Sequence, residues 1–271
     1  MTKHLTAKKN YGQHFLHDKY VINKIVKNCD ISIDDMILEI GPGKGHMTDV
    51  LASLNVRIIA IEIDKELIDG PLSKYGSHKN IRILEGDANK IDLSDIFGIN
   101  DNFKLVSNLP YNSGTNILTN VLTGKHRPIK SVVMLQREVA RNIVGWKGHL
   151  GILGAFYQSF SEVKLLFNVG KKSFRPAPKV ISSVIKIDLM DNPLVDLREL
   201  MDFRNFIYNG FTSPRKQLHN SLGKGLNLLG EETKTLILKS NIDYNRRPST
   251  LTSEEWVRIF NNYMLTTRNS L

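Results

Sequence analysis

The stretch Met36-Ile-Leu-Glu-Ile40, Gly41-Pro-Gly-Lys-Gly45, His46-Met-Thr-Asp-Val-Leu51 decides the fold class. Its opening is a short apolar run of the kind that makes a buried strand, and its end starts a helical pattern. The glycines between them mark a tight turn. Strand, glycine loop and helix in that order form a nucleotide-cofactor cradle: glycines let the backbone approach a ligand, and the helix start presents unpaired N–H groups. The spacing here is G-x-G-x-G, whereas dinucleotide folds use G-x-G-x-x-G. The loop therefore points to a smaller nucleoside such as S-adenosylmethionine rather than to a pyrophosphate. By itself a turn of this composition is a common feature.

The following strands add to it. Val56-Arg-Ile-Ile-Ala-Ile-Glu-Ile-Asp64 places Glu62 where an acidic residue of such folds takes ribose hydroxyls, with Asp64 close behind. Asn80-Ile-Arg-Ile-Leu-Glu-Gly-Asp-Ala88 ends at Asp87, an acceptor suited to the amino group of a cofactor adenine. A fourth apolar run, Lys104-Leu-Val-Ser-Asn-Leu-Pro-Tyr111, leads into Asn108-Leu-Pro-Tyr111. That tetrad suits a flat ring bearing an amine. The Asn108 carbonyl can accept from an exocyclic amine, Pro110 has no N–H and is expected to leave its carbonyl free, and Tyr111 offers a stacking face. Each acid alone is most often a solvated turn residue, and the tetrad alone reads equally as a strand end. Four such sites along the carboxyl edge of one parallel sheet are the place where open α/β folds bind ligands.

Around this core, strands alternate with helices from Asp35 to Asp191, the pattern of an α/β, doubly wound sheet. Helix is expected from Lys19 to Asn28, and later strands over Ser131 to Gln136, Val163 to Val169 and Ser182 to Leu189, the last pair forming an antiparallel edge. Phe174-Arg-Pro-Ala-Pro-Lys-Val180 reads as their connecting loop, and Asp191-Asn-Pro193 as a linker. The expected domains are 1–192, including a basic arm from Lys3 to Asn10, and 193–271, made of short helices.

The 271 residues carry a net charge of +10, which favours a polyanionic partner, nucleic acid ahead of an anionic membrane. Phe211-Thr-Ser-Pro-Arg-Lys-Gln-Leu-His-Asn220 and Asn245-Arg-Arg-Pro-Ser249, with Arg137, Arg141 and Lys147, supply candidate phosphate contacts. Cys29 is the one cysteine, which excludes an internal disulfide framework and a cysteine-rich zinc site; the 8 histidines show no ligand spacing, so no metal is expected. No apolar run reaches membrane-spanning length and no signal peptide is recognisable, so a cytoplasmic protein is expected.

Taken together, Gly12-Gln-His-Phe-Leu16, Glu39-Ile-Gly-Pro-Gly-Lys-Gly45, Asn108-Leu-Pro-Tyr-Asn112, Met134-Leu-Gln-Arg-Glu-Val139 and Phe174-Arg-Pro-Ala-Pro-Lys-Val180 resemble, in order and spacing, the rRNA adenine dimethyltransferases. The resemblance runs from about Lys8 to Tyr263 and looks most like the small-subunit, kasugamycin-resistance branch. It implies a Rossmann-like methyltransferase sheet with a small C-terminal helical domain that binds rRNA. It further implies S-adenosylmethionine-dependent dimethylation of two adjacent adenosines in the 3′-terminal hairpin loop of 16S rRNA, with S-adenosylhomocysteine as product. The partner implied is small-subunit rRNA or the pre-assembled small subunit; nothing in the sequence suggests an obligate interface, so a monomer is expected. By position, the backbone at His14 and Leu16 and the Gly41 loop would hold the methionine part of the cofactor, Glu62 its ribose, and Asp87 with Ala88 its adenine. Asn108 would be the catalytic amide at the cofactor, with Pro110 and Tyr111 beside it. Phe174 would stack the target base from its other face, while Arg137, Arg141, Arg215, Lys216, Arg246 and Arg247 would contact RNA. Ser113-Gly-Thr115 and Pro214 depart from the family pattern, and Gly43-Lys-Gly-His46 looks more like the macrolide-resistance branch, which modifies large-subunit rRNA. A non-catalytic RNA-binding assembly factor on the same fold is a further alternative; a dinucleotide oxidoreductase is a distant one, disfavoured by the glycine spacing.

Overall fold

The computed structural model describes residues 8, 11–98 and 101–268. Of the expected basic arm only Lys8 falls among them, and the rest of Lys3 to Asn10 lies outside the described residues.

Seven strands form one sheet. In sequence they are β2 (Met36–Ile40), β3 (Arg57–Glu62), β4 (Ile81–Glu85), β5 (Phe103–Asn108), β6 (Lys130–Gln136), β7 (Ser161–Val169) and β9 (Ser182–Leu189). Across the sheet the order is β4-β3-β2-β5-β6-β9-β7. From β4 to β6 all neighbours are parallel. All five residues of β2 are buried, as expected for a parallel strand covered on both faces. The chain order reverses at β2, so the carboxyl ends of β2 and β5 flank the topological switch point. The expected last pair does form the edge, with β7 outermost and β9 beside it; the antiparallel register is that of β9 against β6, pairing Lys130 with Asp188 and Gln136 with Ser182.

A second, smaller pairing was not expected. Phe15–Leu16 (β1) and Phe174–Arg175 (β8) form a two-residue antiparallel ladder, Phe15 opposite Arg175 and Leu16 opposite Phe174. Phe174-Arg175 is therefore strand, not loop, and it pins the segment after Gly12 to the main body. Helix α1 (Lys19–Lys27) follows. Asp18 caps it by accepting from the N–H groups of Tyr20 and Val21, a contribution of about 1 kcal/mol, and Ile22, Ile25 and Val26 form the buried stripe. These residues join Phe15, Leu16, Met47, Val106, Met134 and Phe174 in one apolar core.

The chain divides into two compact units, residues 1–140 with 164–188, and residues 141–163 with 189–271. The second is helical, with α6 (Ile152–Tyr157), α7 (Leu200–Gly210), α8 (Leu218–Leu226), α9 (Gly230–Lys239) and α10 (Ser253–Arg268). Its centre is Trp256, fully buried, edge-on to Phe206 and stacked on Phe211. A Cβ at Gly225 would fall 2.0 Å from the backbone oxygen of Asn209, so glycine there permits the close approach of α7 and α8. The sequence expectation of one break near residue 192 did not foresee that 141–163 groups with the helical unit.

Candidate active site

The glycine loop opens a cavity of about 290 Å³ in the first unit. Each glycine faces something different. Gly41 has φ +67°, and a methyl group there would meet no protein atom within 4 Å, because it borders the open space. Gly43, at φ +60°, would place a Cβ 2.9 Å from the Phe15 ring. One position is thus small for a ligand and the other for the core.

The strand ends deliver the acids. Glu62, at the end of β3, is 4% exposed and lines the cavity. Its Oε2 accepts from the Gly43 N–H at 3.0 Å, and its Oε1 accepts from those of Ile63 and Asp64, each at 3.0 Å. Burial pushes its pKa above the usual carboxylate value, against the opposing pull of these three donors. The carboxylate thereby ties the glycine loop to the next strand and keeps one lone pair, on Oε2, for a ligand hydroxyl. Asp87 also lines the cavity, with Ala88; its Oδ1 accepts from the backbone and side-chain amides of Asn89, which hold its pKa low.

Asn108 closes the opposite side, from the end of β5. Its Nδ2 donates to the His14 carbonyl at 3.1 Å, while its buried Oδ1 has no partner. A buried acceptor left unpaired costs roughly 1–3 kcal/mol, so the site is complementary to a donor that the protein does not supply. Pro110 differs from expectation: its carbonyl is not free but accepts from the Gly114 N–H at 2.7 Å at the start of α4 (Gly114–Thr123). Only its second lone pair is available. His14 lines the same cavity, and its Nδ1 lies 2.8 Å from the Pro176 carbonyl oxygen.

A family model described as ribosomal RNA adenine dimethylase matches residues 4–264. The chain is 35% identical over 255 residues to the ribosomal RNA small subunit methyltransferase A of Dehalococcoides mccartyi, covering 94% of this chain and 88% of that one. The chain belongs to the ribosomal RNA adenine dimethylase family. It is also 36% identical over 261 residues to the protein of the same name from Alkaliphilus oremlandii, covering 94% and 91%. Among solved structures, a dimethyladenosine transferase from Plasmodium falciparum superposes with a TM-score of 0.78 at 23% identity, over 94% of this chain and 98% of that one. The 23S rRNA methyltransferase ErmE gives 0.72 at 23% identity, over 92% and 98%. These structural likenesses are likenesses of fold, and they agree with the Rossmann-like methyltransferase sheet and C-terminal helices expected from the sequence.

Within this dimethylase fold, His14, Leu16, Gly41, Glu62, Asp87, Ala88, Asn108 and Pro110 all line the one cavity. Tyr111 and Phe174 do not. The Tyr111 hydroxyl bonds Ser182 Oγ, and its ring stands 5.1 Å from that of His14, tilted by 36°. Phe174 is 2% exposed within the apolar core and offers no free ring face to a base. Arg137 starts α5 (Arg137–Val144) in the first unit, while Arg141, Arg215, Lys216, Arg246 and Arg247 belong to the second. Arg215, Lys216 and Arg247 are exposed, with no carboxylate partner among the described residues. Arg246 is not available: its guanidinium grips Glu255, at 2.5 and 2.9 Å, and donates to the Thr250 carbonyl.

Two features went unnoticed in the sequence. Glu39, one residue before the end of β2, is 1% exposed at the cavity wall; its Oε2 accepts from Thr48 Oγ1 at 2.7 Å, and its Oε1 has no partner. Burial drives its pKa up to about 8. The signal was a charged residue inside an otherwise apolar buried strand. The second is a latch: Lys8 Nζ and Gln13 Nε2 both donate to Asp64, at 2.7 and 2.9 Å. Asp64 thereby anchors the segment that carries Gln13 and His14 into the cavity wall. Among the described residues no group of three or more His, Cys, Asp or Glu side chains could hold a metal, and no helix is long and apolar enough to cross a membrane.

Proposed function

We propose that this chain transfers methyl groups from S-adenosylmethionine to the 6-amino groups of two adjacent adenosines in the 3′-terminal hairpin loop of small-subunit rRNA. The observation that carries the chemistry is the unpaired Asn108 Oδ1 at the cavity wall, opposite carboxylates suited to a nucleoside. The choice of the small subunit is supported by the name shared by the curated relatives at about 35% identity. The residues of the cavity suit the cofactor: Gly41 would leave space for its methionine part, Glu62 Oε2 keeps a lone pair for a ribose hydroxyl, and Asp87 with Ala88 would take its adenine.

When bound, the cofactor supplies a methyl group on a positively charged sulfur. The protein's task is to make a poor nucleophile attack it. The adenine amine lone pair is delocalised into the ring until both N–H bonds are drawn out of its plane. Asn108 Oδ1 accepts one N–H, and the second lone pair of the Pro110 carbonyl accepts the other. The lone pair is then aimed at the methyl. Since the electrophile carries its own charge, alignment contributes more than acid–base work. The nitrogen would gain the methyl carbon and a positive charge as the sulfur–methyl bond breaks, its electron pair staying on the departing S-adenosylhomocysteine; the nitrogen then loses a proton to solvent, so no strong general base is required. Tyr111 provides a ring for the extruded base once the His14 side chain turns aside, a contact worth about 1–3 kcal/mol.

The helical unit, through Arg215, Lys216 and Arg247, would track rRNA phosphates, in the cytoplasm where ribosomal subunits are assembled. Incubating the protein and S-adenosylmethionine with unmethylated small and large subunits separately, then locating modified adenosines by mass spectrometry, tests the reading. Dimethyladenosine in the small-subunit hairpin is expected. Modification of the large subunit alone would move the chain to the macrolide-resistance type, and methylation of neither would leave RNA binding as its activity.

A further inference from the structure

In the helical unit, a short hairpin carries an aromatic residue that the methylation cavity does not use. Trp146 and His149 form a bridge, with Trp146 N–H donating to the His149 carbonyl at 2.8 Å and the reverse bond at 3.0 Å. The two residues between them, Lys147 at φ +51° and Gly148 at φ +77°, both adopt the left-handed conformation of a tight two-residue turn. The hairpin is tied down at its far side, where the Leu150 N–H donates to the Ser249 carbonyl at 2.7 Å and His149 Nδ1 lies 3.2 Å from Ser249 Oγ. Trp146 is thus held on a tight, anchored turn, yet the residue is 48% exposed.

One face of the indole is covered by a cation, the Arg141 guanidinium, centred 4.0 Å from the ring. Lys147 is exposed beside it, and Arg247, two residues from the Ser249 anchor, is exposed as well. None of the three cations has a carboxylate partner among the described residues; Glu254 borders the adjoining groove. A fixed aromatic face amid unpaired cations is the arrangement that binds unpaired nucleotides: the bases stack and the charges hold the phosphates.

We propose that Trp146 is a stacking platform for an unpaired base of the rRNA substrate, a contact made outside the methylation cavity. The proposal rests on the rRNA reading above and adds to it a second point of base recognition. An exposed Trp could serve a protein surface instead, but the cluster of unpaired cations favours a polyanion.

The test compares Trp146→Ala, Trp146→Phe and the native chain for binding to protein-free small-subunit rRNA and to heparin, a polyanion without bases. Stacking predicts that Trp146→Ala weakens rRNA binding about five- to 150-fold, the range typical of one stacked base. Heparin binding should stay within about twofold, and Trp146→Phe should recover most of the loss. Of the 2 tryptophans in the chain, Trp256 then remains, and its buried emission reports that the variant is folded. Unchanged rRNA affinity would overturn the proposal, and so would equal losses on rRNA and heparin, which would leave only a charge effect. Intact rRNA binding with weakened binding to assembled subunits would also overturn it, assigning the surface to a ribosomal protein. Methylation by the native chain, followed in parallel, separates failure of the platform from failure of the proposed reaction.

Discussion

The side-chain amide of Asn108 donates to the backbone carbonyl of His14 at 3.1 Å, and this single bond orients the strand-end amide. With Nδ2 committed, Oδ1 is the atom left unpaired at the cavity wall. The segment that carries His14 is held in turn by Gln13 on Asp64, which also accepts from Lys8, so Asp64, Gln13 and the amine-orienting residue form one connected arrangement.

Asp64→Ala should therefore act on cofactor binding although Asp64 does not line the cavity. We expect S-adenosylmethionine affinity to fall several-fold by calorimetry, together with faster proteolysis ahead of Gly12. Unchanged affinity and protease resistance would mean that the latch is dispensable. Its pH dependence follows from the lowered pKa of Asp64: burial pushes that pKa up, but the bonds from Lys8 and Gln13 outweigh it. The latch is then fully present above the ordinary carboxylate value and is lost as pH falls through the lower folded value.

Gly41 and Gly43 should separate ligand space from core space. Gly41→Ala meets no protein atom, so its cost to stability is the left-handed backbone, about 1 kcal/mol, while cofactor affinity should drop by tenfold or more. Gly43→Ala drives a methyl group to within 2.9 Å of Phe15 and should lower the melting temperature more than Gly41→Ala does. Equal effects of the two variants on melting and affinity would refute this division.

Much of the first unit was legible because its signals are local. Apolar runs ending in Gly41, Glu62, Asp87 and Asn108 carry their own strand and turn chemistry, and the parallel sheet aligns those ends in one cavity. What escaped was non-local. A two-residue ladder such as Phe15–Leu16 with Phe174–Arg175 is too short to leave a period, and it converts Phe174 from a candidate ring face into core. The occupied Pro110 carbonyl depends on where α4 begins, and the commitment of Arg246 depends on Glu255 in the next helix. The grouping of 141–163 with the C-terminal helices likewise follows from contacts distant in sequence.

Arg246 and the pair Arg215–Lys216 should behave in opposite ways. Replacing Arg215 and Lys216 by Ala should reduce rRNA affinity and flatten its dependence on salt by about two phosphate contacts, with the melting temperature unchanged. Arg246→Ala strands Glu255 in a half-buried position and should destabilise the protein, by roughly 1–3 kcal/mol. An unaltered salt slope in the double variant would remove that segment from the phosphate surface.

Glu39 should give stability a distinctive slope with pH. Its folded pKa is raised to about 8 from 4.5, so between those values the folded chain holds a proton that the unfolded chain releases. Stability should therefore decline as pH rises from about 5 to about 8 and level off above it, a total of a few kcal/mol. Glu39→Gln keeps an acceptor for Thr48 and should flatten this decline in denaturant titrations. A slope identical to that of the native chain would show that Glu39 does not titrate in this range.

The most direct test is Asn108→Ala, measured for single-turnover methylation of small subunits and, separately, for S-adenosylmethionine affinity. If Oδ1 orients the target amine, the rate should fall by at least about a hundredfold, comparable to loss of a preorganised polar group, while cofactor affinity stays within a few-fold. Loss of both in equal measure would make Asn108 a structural support of the cavity, and retention of the rate would contradict its role in aiming the amine.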